Sequence, residues 1–263
     1  MPLMTQAPRS LLAGSLGQLL IRGLIAGFVA GLLAGTVAYV TGEQHIDAAI
    51  AIEEAHPASS HDHSAATGEA HSDEEPLISR DGQRAGLFLA TALSGAAFGA
   101  IYACVLAVAR NRARLPALQF IVAVGAAGWF AVAAVPFLKY PANPPAVGDP
   151  DTITERTVLW FAMVALGLLA ASAFAYTHAV VRARSSSSVL PVLLPTVAAI
   201  SVVLVGYAVT PAIDEVPADF PASLLWQFRL SSVLTQLTLW ASIIGVFAVL
   251  SERAARPGIP EKD

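Results

Sequence analysis

Histidines and carboxylates are concentrated between residues 42 and 85, where their types and spacing could bind metal ions. Glu43, Asp47 and Glu54 recur at helical spacing, which would place three carboxylates on one face of a helix. Imidazole and carboxylate groups can bind Co²⁺, Ni²⁺, Zn²⁺ or Cu²⁺, but a tract without fixed geometry would select poorly among them. The sequence therefore predicts a segment that gathers cations, with the candidate ligands Glu43, His45, Asp47, Glu54, His56, His61, His63 and His71. A solvated helix end followed by a low-complexity loop is the alternative interpretation.

A second group of polar residues lies in a proline-rich stretch, LKYPANPPAVGDPD, at residues 138–151. Its prolines favour a stiff, non-helical segment. Asparagine, aspartate and free backbone carbonyls in such a segment could line a cavity at membrane depth. The candidate residues of this mouth are Tyr140, Asn143, Asp149 and Asp151. A plain proline-rich turn explains the stretch equally well.

Two ionisable residues near the ends of apolar segments are also candidates. Arg229 would be costly in lipid, so we expect it to pair with an acid such as Glu215 or Asp219, or to face a wet cavity. His178 is the one histidine within an apolar segment. A buried, hydrogen-bonded histidine is the favoured interpretation of His178, and a relay or exit ligand is the alternative. We include Glu215, Arg229 and His178 among the candidate pathway residues.

The elements that position these residues are apolar segments long enough to cross a membrane. A bilayer core of about 30 Å requires roughly 20 helical residues. Six segments meet this length, so the sequence predicts an all-α, polytopic bundle forming a single transmembrane domain. The predicted spans cover residues 19–41, 86–109, 117–138, 158–181, 191–211 and 230–250.

Composition agrees with a membrane environment, since 56% of the 263 residues are hydrophobic and only 13% are charged. A soluble domain has about a quarter charged residues. The single cysteine, Cys104, excludes an intrachain disulfide, and no basic block indicates a nucleic-acid partner. No nucleophile elbow, phosphate loop, HExxH motif or paired thiol occurs. We therefore expect neither enzymatic activity nor a resident cofactor.

The charges predict the orientation. With the N-terminus in the cytoplasm, basic residues concentrate on the cytoplasmic side, as the positive-inside rule requires. Most acidic residues and all histidines except His178 then lie on the outer face. Both termini are therefore expected to be cytoplasmic. On this topology residues 42–85 form an extracytoplasmic loop, and the polar composition of residues 55–75 predicts disorder.

Glycines recur every four residues in the first span, at Gly23, Gly27, Gly31 and Gly35, and again in the second, at Gly95 and Gly99. Small residues at this spacing let two helix backbones approach closely in lipid. We interpret these glycines as a packing surface of a compact bundle, without a ligand site.

Three stretches together resemble the CbtA family of predicted cobalt transporter subunits. They are residues 43–54, residues 137–151 with LKYPANPPAVGDPD, and residues 216–240 with VPADFPASLLWQFRLSSVLTQLTLW. The resemblance covers nearly the whole chain. It implies a membrane subunit for cobalt uptake, linked to cobalamin supply and to a small, single-span, histidine-bearing partner, CbtB. It also implies one span fewer than the sequence pattern does.

The function expected from these observations is uptake of cobalt, or of divalent transition metals in general, across a prokaryotic cytoplasmic membrane. The acidic, histidine-bearing loop would gather the cation, Co²⁺ by the resemblance, for passage through the bundle. A membrane scaffold or metal sensor that acts through a partner without transporting is the alternative. The expected partners are the lipid bilayer and a CbtB-like subunit.

Overall fold

The structure is a computed structural model that describes residues 11–55, 80–112 and 115–256. Within these ranges six long helices follow one another and no strand occurs. All six are long and apolar enough to cross a membrane, which confirms the predicted polytopic bundle and the count of six spans. The helices are α1 (Leu16–Ala55), α2 (Arg80–Ala109), α3 (Ala117–Lys139), α4 (Ile153–Arg184), α5 (Leu190–Val209) and α6 (Ala222–Ala255).

Large apolar side chains cover the outside of this bundle. Leu138, Tyr176 and Val209 are each more than 70% exposed, in helices that a water-soluble fold would have to bury. Contiguous apolar surface of this kind marks contact with a partner or a membrane. The helix surfaces therefore face lipid, and the chain is a multi-pass membrane protein.

Helices α1 and α2 touch backbone to backbone along the predicted glycine surface. A Cβ atom added at Gly23 or Gly27 would collide with the carbonyl oxygen of Gly99 or Gly95, and one added at Gly31 would collide with that of Thr91. The glycine repeat is therefore confirmed as a packing surface, because only glycine permits this approach.

Helix α6 packs beside α1 and α3 and completes the core. Ser231 in α6 donates a 2.8 Å hydrogen bond to the carbonyl oxygen of Thr41 in α1. Gly125 and Gly128 of α3 lie against the side chains of Ile244 and Trp240. Fully buried apolar residues fill the centre, namely Leu19, Leu106, Ile121, Ile243 and Phe247.

Helices α4 and α5 form a hairpin that packs on α3. Gly167 of α4 lies against the backbone of Ala131, and Gly206 of α5 accepts the side chain of Leu166. His178 near the end of α4 shares a 2.6 Å hydrogen bond with the carbonyl oxygen of Pro191. The short loop between the two helices is thereby fastened at its base.

The helices alternate in direction, so one end of the bundle collects residues 42–55, 80–85, 140–152 and 210–221. We call this the acidic end, since nine of the carboxylates whose side chains the structure describes, from Glu43 to Asp219, lie in those segments. The opposite, basic end includes Arg22, Arg110, Arg182 and Arg253. Arg110 there donates hydrogen bonds of 2.7 and 2.9 Å to the carbonyl oxygens of Leu12 and Gly14.

The segment predicted as a loop from 42 to 85 is helical at both of its edges. Helix α1 continues to Ala55, and α2 already begins at Arg80. The polar part of α1 persists because its Ala49 is fully buried against Phe220, Val147 and Leu225. Residues 56–79, which include nearly all of the tract predicted to be disordered, lie outside the described residues.

Candidate functional site

The acidic end brings together the three stretches that the sequence singled out. Ala49 of α1, Val147 of the proline-rich segment, Phe220 of the 210–221 segment and Leu225 of α6 form one small apolar cluster. This cluster holds the connecting segments against α1 and α6. Sequence-distant polar residues are therefore placed around a common opening.

A π-helical turn, Phe130–Ala134, interrupts α3 just before this opening. Pro136 explains the interruption, because it has no N–H to donate to the carbonyl of Val132 and its ring would crowd that carbonyl. The widened turn accommodates both effects, and such turns are common at functional sites. Val132, Ala133 and Ala134 consequently line a cavity.

The cavity has a volume of about 860 Å³ and lies between α3, α4 and α6 beneath the connecting segments. We call it the mouth cavity. Aromatic rings form much of its wall, with Trp129 and Phe137 from α3 and Trp160 and Phe161 from α4. Its charged and amide lining residues are Asn143, Arg156, Asp214, Glu215, Arg229 and Gln236.

Glu215 is the hub of the hydrogen bonds at this opening. Its carboxylate accepts a 2.6 Å bond from the Thr152 hydroxyl and a 3.0 Å bond from the backbone N–H of Asp149, and it lies 3.3 Å from Arg156. The Thr152 hydrogen bond, reinforced by the Asp149 N–H and by Arg156, lowers the pKa of Glu215 below its ordinary value of 4.5. The mouth therefore keeps Glu215 charged and joins the two connecting segments.

Arg156 and the proline-rich segment fit each other closely. Arg156 also donates a 3.1 Å hydrogen bond to the carbonyl oxygen of Asp149. Gly148 has a φ of +125°, and a Cβ atom there would meet the Arg156 guanidinium. Glycine at this position thus adopts the positive φ without strain and leaves room for the Arg156 guanidinium.

Arg229 faces the mouth cavity, which agrees with the expectation that it faces a cavity. The other expectation, pairing with Glu215 or Asp219, is wrong for the described residues. The Arg229 guanidinium instead donates to the Asn143 side-chain oxygen at 3.0 Å and to the Ala142 carbonyl at 3.3 Å. Glu215 is instead engaged by Arg156 and Thr152.

Glu43 and Asp47 do lie on one face of α1, but a cation of α2 already contacts them. The Nε atom of Arg84 is 2.9 Å from the Glu43 carboxylate, and another nitrogen of Arg84 is 3.7 Å from that of Asp47. Neither carboxylate lines the mouth cavity. Their geometry serves to join α1 to α2.

The predicted metal ligands are only partly within the described residues. His45 and Glu54 lie on α1. The Nδ1 atom of His45 is buried and has no hydrogen-bond partner among the described residues, and Glu54 is exposed. His56, His61, His63 and His71 lie outside the described residues. Among those that the structure describes, no three His, Cys, Asp or Glu side chains are gathered closely enough to hold a metal ion.

The remaining candidates have local structural partners. Tyr140 lines the mouth cavity, and its hydroxyl donates a 2.8 Å hydrogen bond to the carbonyl of Pro211. Asp151 is exposed, and its backbone N–H donates to the Asp149 side chain at 2.9 Å. His178 stacks on Phe174, far from the mouth at the basic end. Its contacts fit the favoured interpretation of a hydrogen-bonded histidine.

Sequence reasoning missed Arg84, Arg156 and Thr152. Each lies at the start of a helix just beyond its apolar core, where a polar residue at a helix end looks unremarkable. A search for charged partners could have found the arginines, because few basic residues lie on the acidic side and carboxylates such as Glu43 and Glu215 lie close to them there. Thr152 gave no comparable signal.

Comparison with known proteins agrees with this architecture. The model of the family described as probable cobalt transporter subunit (CbtA) matches residues 16–252, which include α1 to α5 in full and all but the last three residues of α6. No curated protein and no solved structure matches the chain. The glycine-packed helices, the proline-rich mouth and the 210–221 segment all lie inside the matched region. The chain therefore belongs to the CbtA family of probable cobalt transporter subunits.

Proposed function

We propose that this chain is the membrane subunit of a cobalt uptake transporter in a prokaryotic cytoplasmic membrane, with both termini in the cytoplasm. The observation that supports this most strongly is the family match over residues 16–252, which coincides with helices able to cross a membrane. The orientation follows from the concentration of arginines at the basic end, as the positive-inside rule requires.

The acidic end would gather the cation. Its carboxylates create a negative potential that raises the local concentration of divalent ions and speeds their encounter. Asp149, Asp151, Asp214 and Asp219 are exposed in its connecting segments, and Asp214 lines the mouth cavity. The histidines of residues 56–71 supply imidazole ligands, which suit Co²⁺ and its neighbours in the first transition series.

Transport by this chain would depend on a partner. The family description is that of a subunit, and the sequence has no nucleotide-binding motif that could couple transport to ATP. The partner that the resemblance implies is a small single-span subunit like CbtB. We infer that it completes either the ion path or the energy coupling.

A second candidate is a metal-responsive scaffold that signals through its partner without moving the ion. One observation favours it, namely that the described residues hold no cluster of three metal-binding side chains. A path for a bare cation would be expected to have such a cluster at some depth.

Reconstitution separates the two candidates. The protein would be placed in liposomes that enclose a Co²⁺-quenched dye, alone and with the small partner, and Co²⁺ would be added outside. A transporter subunit predicts quenching in at least one preparation, above that of empty liposomes. A scaffold predicts Co²⁺ binding to the protein with no quenching in either preparation.

Deletion of residues 56–75 tests the gathering step. If the segment only concentrates the ion, the deletion should reduce uptake at low external Co²⁺ and leave the rate at saturating Co²⁺ unchanged. If it forms an essential site, uptake should be lost at every concentration. A deletion variant with wild-type uptake at low Co²⁺ would exclude a role for these histidines.

A further inference from the structure

Arg229 lies in a membrane-spanning helix without a neutralising carboxylate among the described residues. Its hydrogen bonds go to two neutral oxygens, those of Asn143 and Ala142. A guanidinium at such a position is costly unless it pairs with a charge or meets water or a ligand. The unbalanced cation faces the mouth cavity.

The other guanidinium of the cavity also has unused donor capacity. Arg156 is neutralised by Glu215 at 3.3 Å, yet its Nε atom is buried and has no hydrogen-bond partner in the part of the chain described. A buried donor without an acceptor costs about 1–3 kcal/mol. The cavity therefore holds at least one guanidinium donor without an acceptor among the described residues, and its charged lining consists of two arginines and the carboxylates of Asp214 and Glu215.

The cavity is larger than a bare or hydrated metal ion requires. A cation with six waters fills roughly 200 Å³, taking about 30 Å³ for each water. The cavity measures about 860 Å³, within the range of about 300–1,000 Å³ that is typical of sites for small organic molecules.

The walls match an organic body. Four aromatic side chains, those of Trp129, Phe137, Trp160 and Phe161, line the cavity. Asn143, Ser232 and Gln236 add a few neutral polar groups. A mainly apolar wall with a small number of polar groups that fix orientation is the usual composition of a ligand site.

We propose that the mouth cavity binds an organic anion, whose carboxylate or other anionic oxygen group pairs with Arg229 beside Asn143 and whose apolar body lies against the aromatic wall. Arg229 repels a bare cation at the same place. The cavity is thus a site separate from the gathering of free metal at the acidic end, and a metal ion would enter it only as part of an anionic chelate.

Tryptophan fluorescence can test this site without any metal, so the result does not depend on whether the protein transports cobalt. Two of the four tryptophans, Trp129 and Trp160, line the cavity, Trp240 is buried, and the exposed Trp226 would be replaced by Phe in every variant. The protein in phosphatidylcholine nanodiscs would be titrated with 4-bromobenzoate, whose bromine quenches neighbouring indoles. Uncharged 4-bromobenzamide is the matched probe.

The anion site predicts saturable quenching by bromobenzoate and at least tenfold weaker apparent affinity for bromobenzamide. R229Q should weaken bromobenzoate binding by about tenfold or more, with R229K intermediate. R253Q, at the exposed far end of the same helix, should leave binding unchanged. Equal quenching by the two probes in the protein that retains Arg229 would overturn the proposal, and this result does not depend on whether R229Q folds. Unchanged bromobenzoate affinity in a folded R229Q would also overturn it.

Nanodiscs that contain phosphatidylglycerol distinguish two sources of the anion. If the lipid phosphate occupies the site, bromobenzoate should bind more weakly in these discs than in phosphatidylcholine discs. R229Q should abolish this difference in affinity between the two lipids. If the source is a soluble organic acid, the affinity should be the same in both lipids. Both results support an anion site and assign its source.

Discussion

The Nε atom of Arg84 lies 2.9 Å from the carboxylate of Glu43, across the interface between α1 and α2. The same guanidinium is 3.7 Å from Asp47. Glu43 and Asp47, which the sequence suggested as metal ligands, therefore both contact Arg84, a residue that the sequence analysis did not single out. The Glu43–Arg84 ion pair adds a polar contact to the glycine contact between the same two helices.

Removal of either member of this pair should weaken the α1–α2 contact. E43Q and R84Q are each expected to lower the melting temperature slightly, because water screens an exposed ion pair, and a double-mutant cycle should show that the two effects are coupled. E54Q changes an exposed carboxylate on the same helix and should leave the melting temperature unchanged. Additive effects of E43Q and R84Q would contradict a stabilising ion pair between Glu43 and Arg84.

The mouth should lose stability in acid. Hydrogen bonds depress the pKa of Glu215 in the folded protein below its ordinary value of 4.5, so this carboxylate stabilises the fold above that pH and ceases to do so as pH falls through the depressed value. T152V removes the strongest of these hydrogen bonds and should reduce the loss of melting temperature between pH 6 and pH 3. T154V, at an exposed neighbouring threonine, is the control. Equal losses in T152V and the wild type would contradict this role.

Two residues with positive φ in the proline-rich segment, Ala146 and Gly148, should respond to substitution in opposite directions. G148A introduces a Cβ atom at a φ of +125° and into the Arg156 guanidinium, and should destabilise the protein by at least about 1–2 kcal/mol. A146G relieves a non-glycine residue at a φ of 64° and should be neutral or stabilising by about 1 kcal/mol, since glycine tolerates this conformation. Thermal unfolding of both variants checks the prediction. A destabilised A146G together with a stable G148A would contradict it.

The glycine contact should tolerate no side chain. G27A places a methyl group into the carbonyl of Gly95, so we expect loss of folded protein in detergent or a fall of several degrees in melting temperature. G245A is the matched control, because a Cβ atom there meets nothing within 4 Å. Size-exclusion chromatography and thermal unfolding compare the two variants. Equal behaviour would show that α1 and α2 do not meet at Gly27.

The fold was largely predictable because lipid imposes simple rules on sequence. Uncharged runs such as 86–109 can only be spans, and glycines at every fourth residue can be interpreted directly as close packing. The helices nevertheless extend beyond the apolar runs. Hydropathy detects only the part in hydrocarbon, whereas the polar turns of α1 are stabilised by the contact of Ala49 with Phe220, about 170 residues later in the chain.

The location of the candidate site was predictable from the sequence, but the residues that contact its side chains were less so. The proline-rich stretch pointed to a stiff mouth, and the cost of a charge in lipid pointed Arg229 towards a cavity. Periodicity placed Glu43 and Asp47 on one face of α1, but it carries no information about which residue of another helix meets that face. Arg84 therefore appeared only in three dimensions, as did the engagement of Glu215 by Thr152.

Uptake of radiolabelled Co²⁺ tests the central claim most directly. Cells that lack the protein would be compared with cells that express it, each with and without the small partner subunit. Our account predicts faster Co²⁺ accumulation when the protein is present, either alone or only together with its partner. Identical accumulation in all four strains, with the protein shown to be folded in the membrane, would contradict its assignment as a transporter subunit.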